Sequence, residues 1–147
     1  MPDSSSESRS GQRQARVLRV AFVAGAVTDA IALVPMLLPS FATLLWGLHD
    51  VSDSYQLAMG CAASLMLGWT LLLVWASRRP IERRVVAPLT FLVVGGIVVA
   101  EVVGAVAGVV DAWRLVPTWC LQAILLALFA WASFAGRPAS RAPQVMP

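Results

Sequence analysis

Two carboxylates stand where carboxylates are costly. Asp29 and Glu101 each interrupt a long run of apolar residues. An acidic side chain at the centre of a membrane span costs about 3 kcal/mol on insertion scales, so it turns toward other helices and not toward lipid. The chemistry open to such a pair is holding a proton, a cation or a polar ligand. Two acids close together share a proton more readily than they both ionise. Ser64 and Gln122 are polar residues in two further apolar runs, and Thr28 adjoins Asp29. Small neighbours leave room beside each acid: Gly25, Ala26 and Ala32 around Asp29, Gly104 and Ala105 around Glu101. A purely structural role is the competing reading, in which protonated acids hydrogen-bond the helices together at about 0.6 to 2 kcal/mol per contact.

Other chemistry finds little support. The two cysteines, Cys61 and Cys120, form no CxxC pair, and the single histidine, His49, cannot provide paired ligation of a haem. No metal site and no cofactor is expected. The sequence holds no nucleophile elbow, phosphate loop or zinc motif. Cys61 and Cys120 fall at similar depths, so a disulfide competes with the simpler reading of two small free thiols. His49 beside Asp50 reads as a solvated loop, and Met36, Met59 and Met66 read as packing residues. Asp111 and Arg114 read as a solvated helix end, with a place at the mouth of a cavity as the alternative.

The elements that must position these groups are four spans. The chain has 147 residues, 59% hydrophobic and 13% charged, with a mean hydropathy of +0.76. Soluble domains are nearer half apolar and a quarter charged. Apolar runs cover residues 17–38, 55–77, 85–110 and 116–135, each long enough at about 1.5 Å per residue to cross about 30 Å of hydrocarbon. Helix is the form that pairs every backbone group within one segment. The fold class expected is all-α, a membrane-spanning four-helix bundle over residues 17–135. Residues 1–16, rich in Ser and Arg, are expected to be a disordered tail, and 136–147 a second tail.

Orientation follows from the basic residues, all of them arginine. Arg9, Arg13, Arg16 and Arg19, then Arg78, Arg79, Arg83 and Arg84, then Arg137 and Arg141 fall on one side of a four-span chain; only Arg114 falls on the other. The positive-inside rule places both termini and the central loop in the cytoplasm and the protein in the cell (inner or plasma) membrane. This distribution explains the net charge of +3 without nucleic acid as a partner. Trp46, Trp113 and Trp119 fall near the outer interface and Trp75 and Trp131 near the inner one, while Trp69 lies deeper and packs between helices. The stretch 40–48 is too short to span and is expected to lie along the outer surface as a short helix.

Counting inward from the outer ends, Asp29 is nine residues before Leu38, Glu101 nine before Val110 and Ser64 nine after Tyr55. That is about 14 Å of helix in each case, with Gln122 slightly shallower at six residues from Val116. The four spans thus contribute one polar layer: Asp29, Ser64, Glu101 and Gln122, with Thr28 alongside. Packing is expected from small residues at steps of four: Gly60, Ser64 and Gly68 in the second span, and Gly96, Ala100, Gly104 and Gly108 in the third. Such faces allow close helix approach, here first within the chain and otherwise with a second copy or a larger membrane complex.

The stretch Tyr55–Gln56–Leu57–Ala58–Met59–Gly60, continuing through Leu67–Gly68–Trp69–Thr70 to Trp75–Ala76 and Arg79–Pro80–Ile81–Glu82–Arg83, resembles small prokaryotic four-span proteins of uncharacterised function. The Pro117–Thr118–Trp119 start of the last span is similar too. The resemblance implies the same fold and no activity. Three functions compete: a site that binds or transports a small apolar or cationic molecule or protons, an accessory subunit with structural acids, and an enzyme using two carboxylates on a lipid-soluble substrate. Non-enzymatic roles are the expected class. Small multidrug transporters also have four spans with an acid in the first, but their dual topology requires a weak charge bias, and the bias here is ten to one.

Overall fold

Backbone groups among apolar side chains must pair with one another, and these sequences do so as helices. The structure, a computed structural model, describes residues 4–46 and 52–134. It is all-α over those residues, with five helices: α1 Ser4–Leu37, α2 Pro39–Trp46, α3 Asp53–Arg78, α4 Val86–Val106 and α5 Ala112–Phe134. Four are long and apolar enough to cross a membrane, over Gly11–Leu37, Asp53–Arg78, Val86–Val106 and Ala112–Ser133. The short α2 occupies the stretch that is too short to span.

Several boundaries differ from the hydropathy pattern for local reasons. Helix α1 begins at Ser4 and so takes in residues 4–16. Once the apolar part of α1 is helical, each added residue gains a backbone hydrogen bond without a new nucleation cost. The second tail, 136–147, lies outside the described residues. Helix α3 starts at Ser52, whose hydroxyl accepts from the Tyr55 N–H at 3.3 Å, with Asp53 favourably placed in the positive first turn. Helix α4 stops four residues short of Val110. Gly108 adopts φ +71°, the Val109 N–H donates to Gly104 O at 2.9 Å and the Gly108 N–H to Ala105 O at 3.1 Å. This is the Schellman termination, and glycine is the residue that adopts it without strain. Gly108, expected to serve helix packing, is therefore a helix stop.

Helix α1 lies between α3 and α5, and α4 packs on the far side of α5, with only slight contact to α1. The buried core draws on Leu18, Phe22 and Ala26 of α1, Leu73 and Ala76 of α3, Val86 and Ala87 of α4, and Leu125, Phe129 and Ala132 of α5. All of these lie in the half of the molecule that carries Arg19, Arg78, Arg79, Arg83 and Arg84. Phe22 and Phe129 meet at 6.3 Å between ring centroids. Gly25 makes that approach possible: a Cβ there would lie 3.0 Å from Phe129 Cζ and 3.1 Å from Leu73 Cδ1. In the opposite half, few residues of the four long helices are buried: Pro35, Ala63, Leu115 and Gln122. Pro35 and Pro117 lie inside α1 and α5 in that same half, and each removes one backbone donor.

The small-residue ladders do not serve contacts within the chain. A Cβ added at Gly60, Gly68 or Gly96 would meet nothing within 4 Å, and at Gly104 only Val110 of its own terminating turn, at 3.8 Å. The close contact belongs instead to Gly25. Side-chain bonds tie the helix ends together. Arg19 donates from Nε to Ser77 O at 3.3 Å, joining α1 to α3. Arg83 donates to Trp75 O and stacks its guanidinium 3.3 Å over the Trp75 ring. At the other end Arg114 donates to Leu44 O at 2.9 Å, fastening α2 to α5.

Candidate functional site

Glu101 on α4 and Gln122 on α5 face one another where these two helices pack. Gln122 donates from Nε2 to Glu101 Oε1 at 3.0 Å. Gln122 is 8% exposed, the most polar side chain in its buried stripe with Leu115, Leu125, Phe129 and Ala132. Trp119 precedes it by three residues and so shares its face of α5. The Trp119 indole lies beside the Glu101 carboxyl. The Trp119 N–H is directed at that carboxyl, and Gln122 Oε1 is left buried without a hydrogen-bond partner among the described residues. A buried polar atom left unpaired costs about 1 to 3 kcal/mol, which makes the group a place where a polar molecule would gain.

Asp29 lies on the inward stripe of α1, one turn beyond Gly25. Because α1 runs opposite to α3 and α5, the Gly25 contacts with Leu73 and Phe129 set the register. One turn further along, Asp29 stands level with Trp69 of α3 and Leu125 of α5. Trp69 packs against the core, and its Nε1 is buried without a partner among the described residues. Asp29 is half-buried. No side-chain hydrogen bond joins it to Glu101, Gln122 or Thr28 among the described residues. Gln122 lies seven residues before Phe129, against four from Gly25 to Asp29, so the Glu101–Gln122 pair sits about 4 to 5 Å nearer the opposite end. The single polar layer expected from the sequence is thus two levels, Asp29 with Trp69 and Glu101 with Gln122 and Trp119.

Ser64 joins neither level. It is exposed, and its hydroxyl donates to Cys61 O of its own helix at 2.8 Å. A serine inside a helix satisfies itself in this way when no partner helix is close. Thr28 is half-buried beside Asp29. Cys61 and Cys120 are exposed free thiols, not a disulfide. His49 and Asp50 lie outside the described residues. Asp111 pairs with Arg114 at 3.7 Å, and Arg114 also holds α2, so this helix end is a fastening as well as a charged terminus. Among the described residues no group of His, Cys, Asp and Glu could hold a metal ion.

Sequence reasoning missed Trp119 and Trp69 as polar members of these levels, because tryptophan reads first as an interfacial or packing residue. The spacing of Trp119 and Gln122, three apart on one helix, was the available signal. Comparison with family models, curated proteins and solved structures finds no match to the chain.

Proposed function

We propose that the chain is a multi-pass protein of the cell membrane that binds a small ligand or a proton at the Glu101–Gln122–Trp119 level, with Asp29 as a second acidic station one level away. The observation that supports this reading is a carboxyl inside the apolar length of α4, held by Gln122 Nε2 at 3.0 Å and beside the Trp119 indole N–H, with Gln122 Oε1 buried and unpartnered among the described residues. A bond network built only to hold α4 against α5 would be expected to satisfy its own members. The arginine distribution supports placing the end with Arg78, Arg79, Arg83 and Arg84 in the cytoplasm.

The test compares Glu101→Gln and Asp29→Asn with the parent for folded yield, for small molecules that co-purify and are identified by mass spectrometry, and for ligand-induced thermal stabilisation. Loss of a co-purifying molecule or of stabilisation with folding intact supports the reading. Variants that fold and bind everything the parent binds would sink it. Orientation is tested by labelling Ser52→Cys and Glu82→Cys in a background lacking Cys61 and Cys120; an impermeant reagent added to intact cells should modify only Ser52→Cys.

A second reading, an accessory subunit of a membrane complex, is favoured by the open space over Gly60, Gly68 and Gly96. Small faces of this kind are docking faces where water is absent. Crosslinking from Gly60→Cys in native membranes would capture a neighbour under this reading.

A further inference from the structure

The arginine end of the molecule carries a pattern on its outward faces. Arg16, Val20 and Val23 of α1 follow one another at steps of four and three, so they share one face of the helix. Arg78, Val74 and Leu71 of α3 repeat the same steps in the opposite chain direction, as an antiparallel neighbour requires. All six are exposed. Each face thus passes from a guanidinium to aliphatic side chains within one turn. The bond from Arg19 Nε to Ser77 O, at 3.3 Å, brings the two faces alongside each other. Arg16 lies one turn before Arg19 on α1, and Arg78 follows Ser77 on α3. Arg16 also stands 21 residues before Leu37, about 31 Å of helix, which matches the thickness of a hydrocarbon core. Among the described residues no ion pair or side-chain hydrogen bond engages Arg16 or Arg78. Glu82, the acid of the turn between α3 and α4, is already paired with Arg79 at 3.3 Å, and Arg83 is held over the Trp75 ring.

We infer that the groove between α1 and α3 at this end binds an anionic phospholipid, with its phosphate between Arg16 and Arg78 and an acyl chain along the aliphatic residues that continue both faces. A guanidinium takes a phosphate through two parallel N–H···O bonds, which are among the strong ones. Arg19 spends one N–H on Ser77 O and keeps others, so it adds a third positive charge at the same level. Like charges brought together by the packing of α1 on α3 repel, and a bound anion removes that repulsion. The aliphatic run on each face favours a phosphate that carries a hydrocarbon tail over a free one. Net negative charge matters too, because the quaternary ammonium of phosphatidylcholine would sit near the same arginines and be repelled. The charge bias that orients the chain requires only that arginines gather at one end. Their placement on matching faces of two packed helices is an additional property. The inference does not depend on the Glu101–Gln122 level, which lies toward the opposite end of the molecule.

The test titrates dioleoylphosphatidylglycerol, dioleoylphosphatidylcholine or inorganic phosphate onto the full chain in detergent micelles. Native mass spectrometry counts bound lipid, and thermal unfolding is the second readout. Phosphatidylglycerol should bind about tenfold or more tighter than phosphatidylcholine, and inorganic phosphate should give no stabilisation. Arg16→Gln combined with Arg78→Gln should remove most of that preference, since each basic residue near an anionic surface contributes about fivefold. The same variant should melt as the parent does when no lipid is added, because neither side chain has a bond to lose among the described residues. Arg137→Gln combined with Arg141→Gln removes two charges from outside the groove and should leave the preference intact. Equal affinity for the two lipids in the parent would overturn the inference. An equal loss in the two double variants would do so as well, since net charge and not a site would then attract the lipid. Stabilisation by inorganic phosphate as large as that by phosphatidylglycerol would assign the arginines to a soluble anion instead. A groove variant that fails to fold also contradicts the inference, because Arg16 and Arg78 would then hold the chain together.

Discussion

Gln122 Nε2 donates to Glu101 Oε1 at 3.0 Å, joining α5 to α4 inside the apolar length of both helices. The same carboxyl also faces the Trp119 indole. Glu101 lies five residues before the end of α4 at Val106, about 7.5 Å along the axis, because Gly108 stops the helix early. The pair is thus close to the sparsely packed half of the molecule, and half-buried Glu101 is its more accessible member.

The bond sets up a comparison of single and double substitutions. Gln122→Leu leaves Glu101 Oε1 without its donor, and is expected to cost about 1 to 3 kcal/mol of stability. Glu101→Leu alone strands the Gln122 amide and should cost a similar amount. The double substitution removes both polar partners and should recover most of the loss, because an apolar pair in lipid has no unsatisfied group. Thermal unfolding in detergent or nanodiscs measures all three, and strictly additive losses would contradict the coupling.

Gly25 and the ladder glycines should behave oppositely. Gly25→Val pushes methyl groups into Phe129 and Leu73, already at 3.0 and 3.1 Å from a bare Cβ, and should cost about 1 to 3 kcal/mol by overpacking. Gly60→Ala and Gly96→Ala enter open space within the chain. They should leave monomer stability unchanged or raise it slightly, since alanine is the better helix former. Melting temperatures of the three variants decide this.

Gly108→Ala should lower stability by about 1 kcal/mol, because an L side chain is strained at the φ of +71° that ends α4. The loss should be accompanied by faster amide exchange at Val109, whose N–H closes the turn onto Gly104 O. Unchanged exchange there would show that the stop does not depend on glycine.

Arg114→Met keeps the length of the side chain and removes its donors. The bond to Leu44 O, 2.9 Å in the parent, is then lost. Hydrogen exchange should rise across α2, Pro39–Trp46, and remain unchanged in the core around Phe22 and Phe129. Exchange that rises equally in both regions would mean that Arg114 supports the whole fold.

The four long helices were legible in the sequence because a backbone surrounded by apolar side chains has one economical way to pair its polar groups. Asp29, Glu101 and Gln122 were legible as inward polar residues for the same reason, applied to side chains. Ser64 was misplaced because a hydroxyl can satisfy itself on its own helix, which sequence depth does not reveal. That Gly108 ends α4 was not legible, because a glycine at a packing step and a glycine at a helix stop look alike until φ is known.

Hydropathy and charge, read from residues alone, determined that there are four helices of spanning length and how the arginines divide between their ends. Both are sums over many residues, so no single contact alters them. Which residues touch depended on the tertiary structure. Helix α1 sits between α3 and α5 because Gly25 admits Phe129 and Leu73, and that close contact sets the register that separates Asp29 from Glu101 by about a turn. Pairing of Glu101 with Gln122 and Trp119 required the rotation of α4 against α5, a quantity set by packing across the interface and absent from the order of residues along either helix.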